Sequence, residues 1–313
     1  MSQARKIAAV MIAAGHVFAL IGVWQMLSMP SALLGFKWFL AATAFYLVSG
    51  TTGITAGAHR LWSHRSYRAA LPARVWIALC NTIANQSSIL HWSKEHRVHH
   101  QYADTAADPY DITRGLFYAH MGWLYAPRTD AYALAVKRLD VSDMLSDPVV
   151  RLQDKYYVPL SLLCCFILPT LIGGYLSGGL YWQAFCILGC YRWIFTLHVT
   201  WTVNSFAHWI GDRPYDDASE ARETRAVSIF SGGEGWHNFH HAYPWDYAAS
   251  ETAAVDVFWR FNLTKFWIDS LAALGLVYDR KVVRNPVRAL ERVRAAEAAA
   301  PPGDEHALYR GRF

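Results

Sequence analysis

The sequence predicts an all-α integral membrane protein, with four transmembrane helices in two hairpins and a helical cytosolic cap joined to their ends. Three observations predict it. Of 313 residues, 54% are hydrophobic and only 17% charged, with 14 Trp, a balance unusual for a soluble domain. Four apolar stretches approach the roughly 20 residues that cross about 30 Å of hydrocarbon. The positive charge is also sorted along the chain rather than scattered.

In chain order, Ile7 to Met29 and Trp38 to Ala58 form the first pair of spans, separated by the short piece around Pro30 and Gly35. Val158 to Leu176 and Tyr181 to Val203 form the second, joined by the uncharged, Gly-rich turn from Gly173 to Gly179. Both turns carry almost no Lys or Arg, whereas Arg5, Lys6, the segment from Arg60 to Lys155 and the chain after Arg213 hold nearly all the positive charge. The positive-inside rule then places both termini and the middle segment in the cytoplasm. Residues 59–157 and 204–295 form the cap, so that 1–295 is one membrane domain. Residues 296–313, with an Ala-rich start and Pro301, Pro302 and Gly303, form a loosely ordered tail.

Val75 to Ser93 contains no Lys, Arg, Asp or Glu and is long enough to cross. Crossing would put His59 and His64 on the opposite side from His96, His99 and His100, so the stretch is expected to lie in the interface as a helix capping the bundle. The basic stretch Arg280 to Arg294 is expected to lie along the membrane surface as a helix. A net charge of +5 thus reads as topology and attraction to an anionic leaflet or substrate, without nucleic acid as a partner. Five Cys, four of them Cys164, Cys165, Cys186 and Cys190, show no metal-type spacing and read as packing residues. Ile7 to Met29 is too long for the apolar core of a cleavable signal and leads straight into a second span.

Fourteen His are present, and nine fall into four clusters: His59 and His64; His96, His99 and His100; His208; and His237, His240 and His241. The HxxHH pattern occurs twice and puts residues i, i+3 and i+4 on one helical face, where three imidazoles can converge on one or two metal ions. His208 follows Asn204 by four residues, on one face of the fourth helix as it leaves the bilayer. His59 and His64, five apart, cannot share a helical face, so the chain is expected to bend after the second span to bring both inward. Nine imidazoles suit two ions, and imidazole alone does not choose among Zn, Cu, Fe and Ni. Glu95, Asp104, Asp108, Asp111, Asp212 and Glu234 are interleaved nearby as candidate partners for the second ring nitrogen of the ligands. His16, His91, His120, His198 and His306 read as packing or surface residues. Arg192, an ionisable group inside the fourth span, reads equally as a bundle-interior residue or a functional one.

The runs GITAGAHRLWSHRSY (Gly53 to Tyr67), HRVHHQYADTAADPYD (His96 to Asp111), NSFAHWIGDRPYD (Asn204 to Asp216) and GEGWHNFHHAYPWDY (Gly233 to Tyr247) resemble the three His boxes and fourth His motif of the membrane-bound delta-9 acyl-CoA desaturases, the stearoyl-CoA desaturase family. The likeness extends from about Thr51 to Lys281. It implies a mushroom-shaped enzyme whose two irons are held by the nine clustered His, with Asn204 reaching a metal through water. It also implies a kinked tunnel for the acyl chain, its bend lined by Gln86, Trp92, Thr200 and Trp201. The tunnel's far end lies against the second span, where Leu47 and Thr51, one turn apart, are candidates for its floor. Lys94 and Arg128 stand where the family binds the CoA head, and Pro127 stands where relatives tend to be basic.

Removing two hydrogens from an unactivated methylene pair is beyond any acid or base and requires an oxidant made from O2 at a metal. The resemblance thus implies a long-chain acyl-CoA substrate, two Fe2+ ions and O2. The sequence contains no GxGxxG, iron–sulfur Cys set or HPGG module, so electrons are expected from a separate carrier, cytochrome b5 or ferredoxin with a reductase. The expected address is the inner membrane of a bacterial cell or the endoplasmic reticulum of a eukaryotic one. Two rivals stay open: a fatty-acyl or alkane hydroxylase using the same oxidant, and a non-enzymatic metal transporter.

Overall fold

The computed structural model describes residues 3–251 and 262–284. Helix α1 covers Gln3–Leu27 and α2 covers Ala32–Ser63. Ser31 caps the second, its side chain accepting from the Leu34 amide, which satisfies one of the orphan donors of a helix start. The cap layer then follows: α3 (Leu71–Ala84), α4 (Ile89–Tyr102), α5 (Leu116–His120), α6 (Asp130–Arg138), α7 (Ser142–Ser146) and α8 (Pro148–Lys155). Helix α9 (Tyr157–Leu176) and the helical run 181–205, here α10, return to the apolar bundle. The last pieces are α11 (Arg225–Ser231), α12 (His237–Ala242) and α13 (Leu263–Ala273). A two-stranded antiparallel ladder, β1 (Arg68–Ala69) with β2 (Val277–Tyr278), ties the chain after α2 to the chain after α13.

Among the described residues three helices are long and apolar enough to cross a membrane: Arg5–Leu27, Ala32–Ser63 and Tyr157–Leu176. The run 181–205 is as long as α1 but carries Gln183, Arg192, His198 and Asn204, which lower its hydropathy below theirs. It packs inside, with Trp193, Ile194, Leu197 and Trp201 buried against Ile12 and Ala19 of α1. The close approach of α1 is made at Gly22, where a Cβ would fall 2.7 Å from the Cys186 carbonyl oxygen. Arg192 is completely buried, its guanidinium bonded to the Leu188 and Cys165 carbonyls and resting over the Phe45 ring. All five cysteines are free and buried.

Two local expectations change. The uncharged stretch Val75 to Ser93 is not one helix: Asn85 (φ 53°) and Ser87 (φ 84°) break it, and Ser88 caps α4 by accepting from the His91 amide. Asn tolerates the left-handed region where most residues do not, and Asn85 ends α3 by this route. The first half is amphipathic, exposing Leu71, Val75, Trp76 and Leu79 while burying Ala73, Ile77, Cys80 and Ala84. The basic stretch forms no helix over its described part, 280–284; the rest of it and the tail 296–313 lie outside the described residues.

Candidate metal centre

Helix α2 does not bend away after Ala58. It continues to Ser63 by widening, and the His64 amide donates to the His59 carbonyl at 3.1 Å, closing a five-residue turn. An α-helix closes over four residues, so positions five apart diverge on it; the wider turn brings them together, a geometry that often marks functional sites. The two rings therefore lie 4.8 Å apart, centroid to centroid. Close packing holds this segment: a Cβ on Gly53 would fall 2.1 Å from the Asn81 nitrogen of α3.

Each HxxHH motif lies on a helix, α4 and α12, and each serves two sets of rings. His59, His64, His96, His100 and His240 gather in one set and His99, His208, His237 and His241 in the other, with ligand-capable atoms within 4.8 Å of one another in each. All nine rings are buried. His208 arrives by a tight turn, Phe206–His208, just beyond the end of α10. Asn204 lines the cavity beside His99 and His237.

The ring nitrogens face one another in a way that protein hydrogen bonds alone do not satisfy. His99 Nδ1 donates to Asp108 at 2.9 Å; His59 Nδ1 lies 2.9 Å from Glu234 and His208 Nδ1 3.2 Å from Asp104. A neutral ring whose proton is held at Nδ1 presents a lone pair at Nε2. Yet His59 Nε2 lies 2.8 Å from His240 Nε2, itself 3.0 Å from His100 Nε2, and His208 Nε2 lies 3.1 Å from His237 Nε2. Burial first and neighbouring rings second push His64, His96, His100, His237, His240 and His241 well below the usual imidazole range. Converging neutral lone pairs in a dry site are what two metal cations require.

Three of the six interleaved acids take the expected place beside ligand rings: Asp104, Asp108 and Glu234. The other three do not. Glu95 pairs with Arg128 and accepts from Tyr132; Asp111 caps its own turn at Thr113; Asp212 pairs through its backbone with Glu223. Arg60, which the sequence reading left unassigned, is 1% exposed, bonded to the Tyr247 and Ala248 carbonyls and 2.6 Å from Glu234. Despite burial, Arg60 and His59 hold the Glu234 carboxyl down to about 2.

The cavity against the rings is lined by Trp92, Thr200, Thr196, Val199 and Val203, and from α2 by Tyr46, Gly50, Ile54 and Thr55. Trp92 stacks on His96 at 4.8 Å. Gln86 reaches the same helix face by donating to Thr200 Oγ1 at 2.8 Å. Trp201 lies on the other side of α10, in the core with α1. Leu47 is half-buried, and Thr51 is buried with its hydroxyl accepting from Trp267 Nε1; neither lines this cavity. Arg128 is clamped between Glu95, the Pro109 carbonyl and the rings of Trp123 and Tyr132, while Lys94 is half-buried on α4.

Fold and site together define a membrane-type protein with a histidine-rich dinuclear metal centre. Residues 36–253 match the family model described as fatty acid desaturase. The chain is 46% identical to the Delta(9)-fatty-acid desaturase fat-6 of Caenorhabditis elegans over 88% of its own length and 79% of that protein's. It is 42% identical to human stearoyl-CoA desaturase 5 (82% and 76%) and 42% identical to the stearoyl-CoA desaturase of Capra hircus (92% and 77%). The chain belongs to the fatty acid desaturase family and is an oxidoreductase.

Proposed function

We propose that the protein introduces a cis double bond at the delta-9 position of a long-chain saturated acyl-CoA, using two irons, O2 and external electrons. The observation that carries this reading is the partition of nine buried imidazoles into two adjoining sets beside an apolar cavity. Relatives named delta-9 and stearoyl-CoA desaturases supply the position and substrate class.

When bound, the irons would supply the oxidising power from O2 that no side chain has. The protein's part is placement. Asp104, Asp108 and Glu234 orient His208, His99 and His59 so that Nε2 points inward. Asn204 is placed to hold a water beside the four-ring set. Trp92, fixed on His96, and Thr200, held by Gln86, form the wall where the acyl chain bends, with Trp201 supporting it from behind. Leu47 and Thr51 form the floor of a longer tunnel along α2. A chain confined in this way presents one methylene pair to the oxidant, and that confinement sets the position. Lys94 and Arg128 contact the CoA head, Arg128 from its place between Glu95 and the rings of Trp123 and Tyr132.

We further propose four spans, α10 being the fourth, in two hairpins with both termini cytoplasmic, and a single desaturase domain over residues 1–295. The exposed apolar face of α3 lies in the interface. Cytochrome b5 or ferredoxin with its reductase delivers electrons to the cap. The setting is the bacterial inner membrane or the endoplasmic reticulum.

Expression in an unsaturated-fatty-acid auxotroph, with mapping of the product double bond, tests the reading. A cis delta-9 alkene without added oxygen is expected. A hydroxylated product would support the hydroxylase instead, and growth without any new unsaturated acid would be inconsistent with either.

A further inference from the structure

Gln86 stands between two residues of left-handed backbone, Asn85 at φ 53° and Ser87 at φ 84°. Residues other than Gly keep such a conformation only where their surroundings fix it. Here one side chain holds both. The hydroxyl of Tyr157, the first residue of α9, accepts from the Ser87 amide at 2.9 Å and lies 2.7 Å from Asn85 Oδ1. The Ser87 N–H can only donate, so the hydroxyl proton goes to Asn85 Oδ1 and the bridge has one consistent polarity. Trp193 Nε1 of α10 adds a further bond to the turn, donating to the Asn85 carbonyl at 2.9 Å. The turn between α3 and α4 is thus held from α9 and α10.

What the turn carries is the Gln86 side chain. Its Nε2 donates to Thr200 Oγ1 at 2.8 Å and to the Thr196 carbonyl at 3.2 Å, and Thr196 and Thr200 both line the cavity against the rings. Tyr157 stands outside that lining and connects to it through Gln86. From this series of contacts, and resting on the desaturase reading above, we propose that Tyr157 is a positioning residue that sets which methylene pair is oxidised. Its hydroxyl holds the turn, the turn holds Gln86, and Gln86 fixes the wall where the acyl chain bends. Successive methylenes are chemically alike, so geometry selects the pair. A wall displaced by a single carbon–carbon step presents the neighbouring pair instead.

The test expresses the full-length chain, unsubstituted and as Tyr157→Phe, in the unsaturated-fatty-acid auxotroph and maps the double-bond positions of the products. Tyr157→Phe keeps the ring and removes the bridge. The share of product unsaturated at neighbouring positions should rise about tenfold, the size of effect that loss of one or two hydrogen bonds allows. The same change made in a Gln86→Ala chain should add nothing further, because the two residues act in series. Asn85→Gly keeps a residue at ease in the left-handed region but lacks the Oδ1 acceptor; it should shift the products in the same direction, and it carries the test should Tyr157→Phe fold poorly. An unchanged product distribution in Tyr157→Phe, even with a lowered thermal midpoint, would assign the hydroxyl to stability only and overturn the proposal. Additive effects of Tyr157→Phe and Gln86→Ala would overturn it as well. Absence of any alkene from the unsubstituted chain would overturn the desaturase reading itself, and this inference with it.

Discussion

At the scale of single residues the centre depends on direct ligation, so replacing His100 or His240 with Ala should abolish desaturation and lower bound iron. An inactive variant that kept two irons per chain would remove that residue from the ligand set. The two basic residues assigned by family likeness should behave differently. Arg128 is bonded to the buried Glu95 and sits over two aromatic rings, so Arg128→Gln strands a buried carboxylate. Breaking such a pair costs about 3 kcal/mol. The thermal midpoint should fall together with any change in KM. Lys94 has no such partner among the described residues, and Lys94→Gln should raise the KM for acyl-CoA with the midpoint unmoved. Equal effects of the two changes on stability would show that Arg128 is not the clamp it looks to be.

At the scale of elements, the wide turns of Thr51–Ser63 are what bring His59 and His64 together, and they are held by contact with α3. Gly53→Ala would drive a methyl into the backbone at Cys80 and Asn81, and overpacking of this kind costs about 1–3 kcal/mol. Because α2 supplies two of the five-ring set and none of the four-ring set, bound iron should fall toward one per chain before activity at saturating metal is lost; undisturbed loading of both positions would show that α2 yields without moving its ligands. The same segment marks the edge of what the sequence disclosed. The nine rings were legible because HxxHH on a helix fixes its own geometry from spacing alone, whereas a five-residue interval suggested a bend. Widening was not legible, since it depends on long-range packing of Gly53 and Gly57 against α3. Asn85 was legible only as a polar residue in an apolar stretch, although its left-handed backbone is what divides α3 from α4. Half the candidate acids found ligand rings, because proximity in sequence does not say which carboxylates the fold turns inward, and Arg60 gave no local signal at all.

At the scale of the whole molecule, the metal-free protein keeps a group of neutral imidazoles buried in its cap, and this makes its stability a function of pH. His64, His96, His100, His237, His240 and His241 are all held well below the usual imidazole value of about 6.5, by burial first and by neighbouring rings second. The unfolded chain takes up protons on these groups as pH falls below that value while the folded chain does not. Their contribution is thus complete above about 6.5 and is lost as pH falls, at up to about 1.4 kcal/mol per pH unit for each. His99 works the other way: burial lowers it, but Asp108 raises it above the usual range, so its stabilisation is present in acid and lost as pH rises. One such group against six leaves acid lability dominant. Protein stripped by a chelator should therefore lose thermal stability steeply between pH 7 and pH 5.5. The iron-loaded form should hold its midpoint to lower pH, because metal binding to the folded state competes with proton uptake by the unfolded one. Thermal scans of both forms across that range measure the difference. Parallel curves would mean that the rings are already exposed or protonated without metal, contrary to the dry, converging arrangement on which the centre depends.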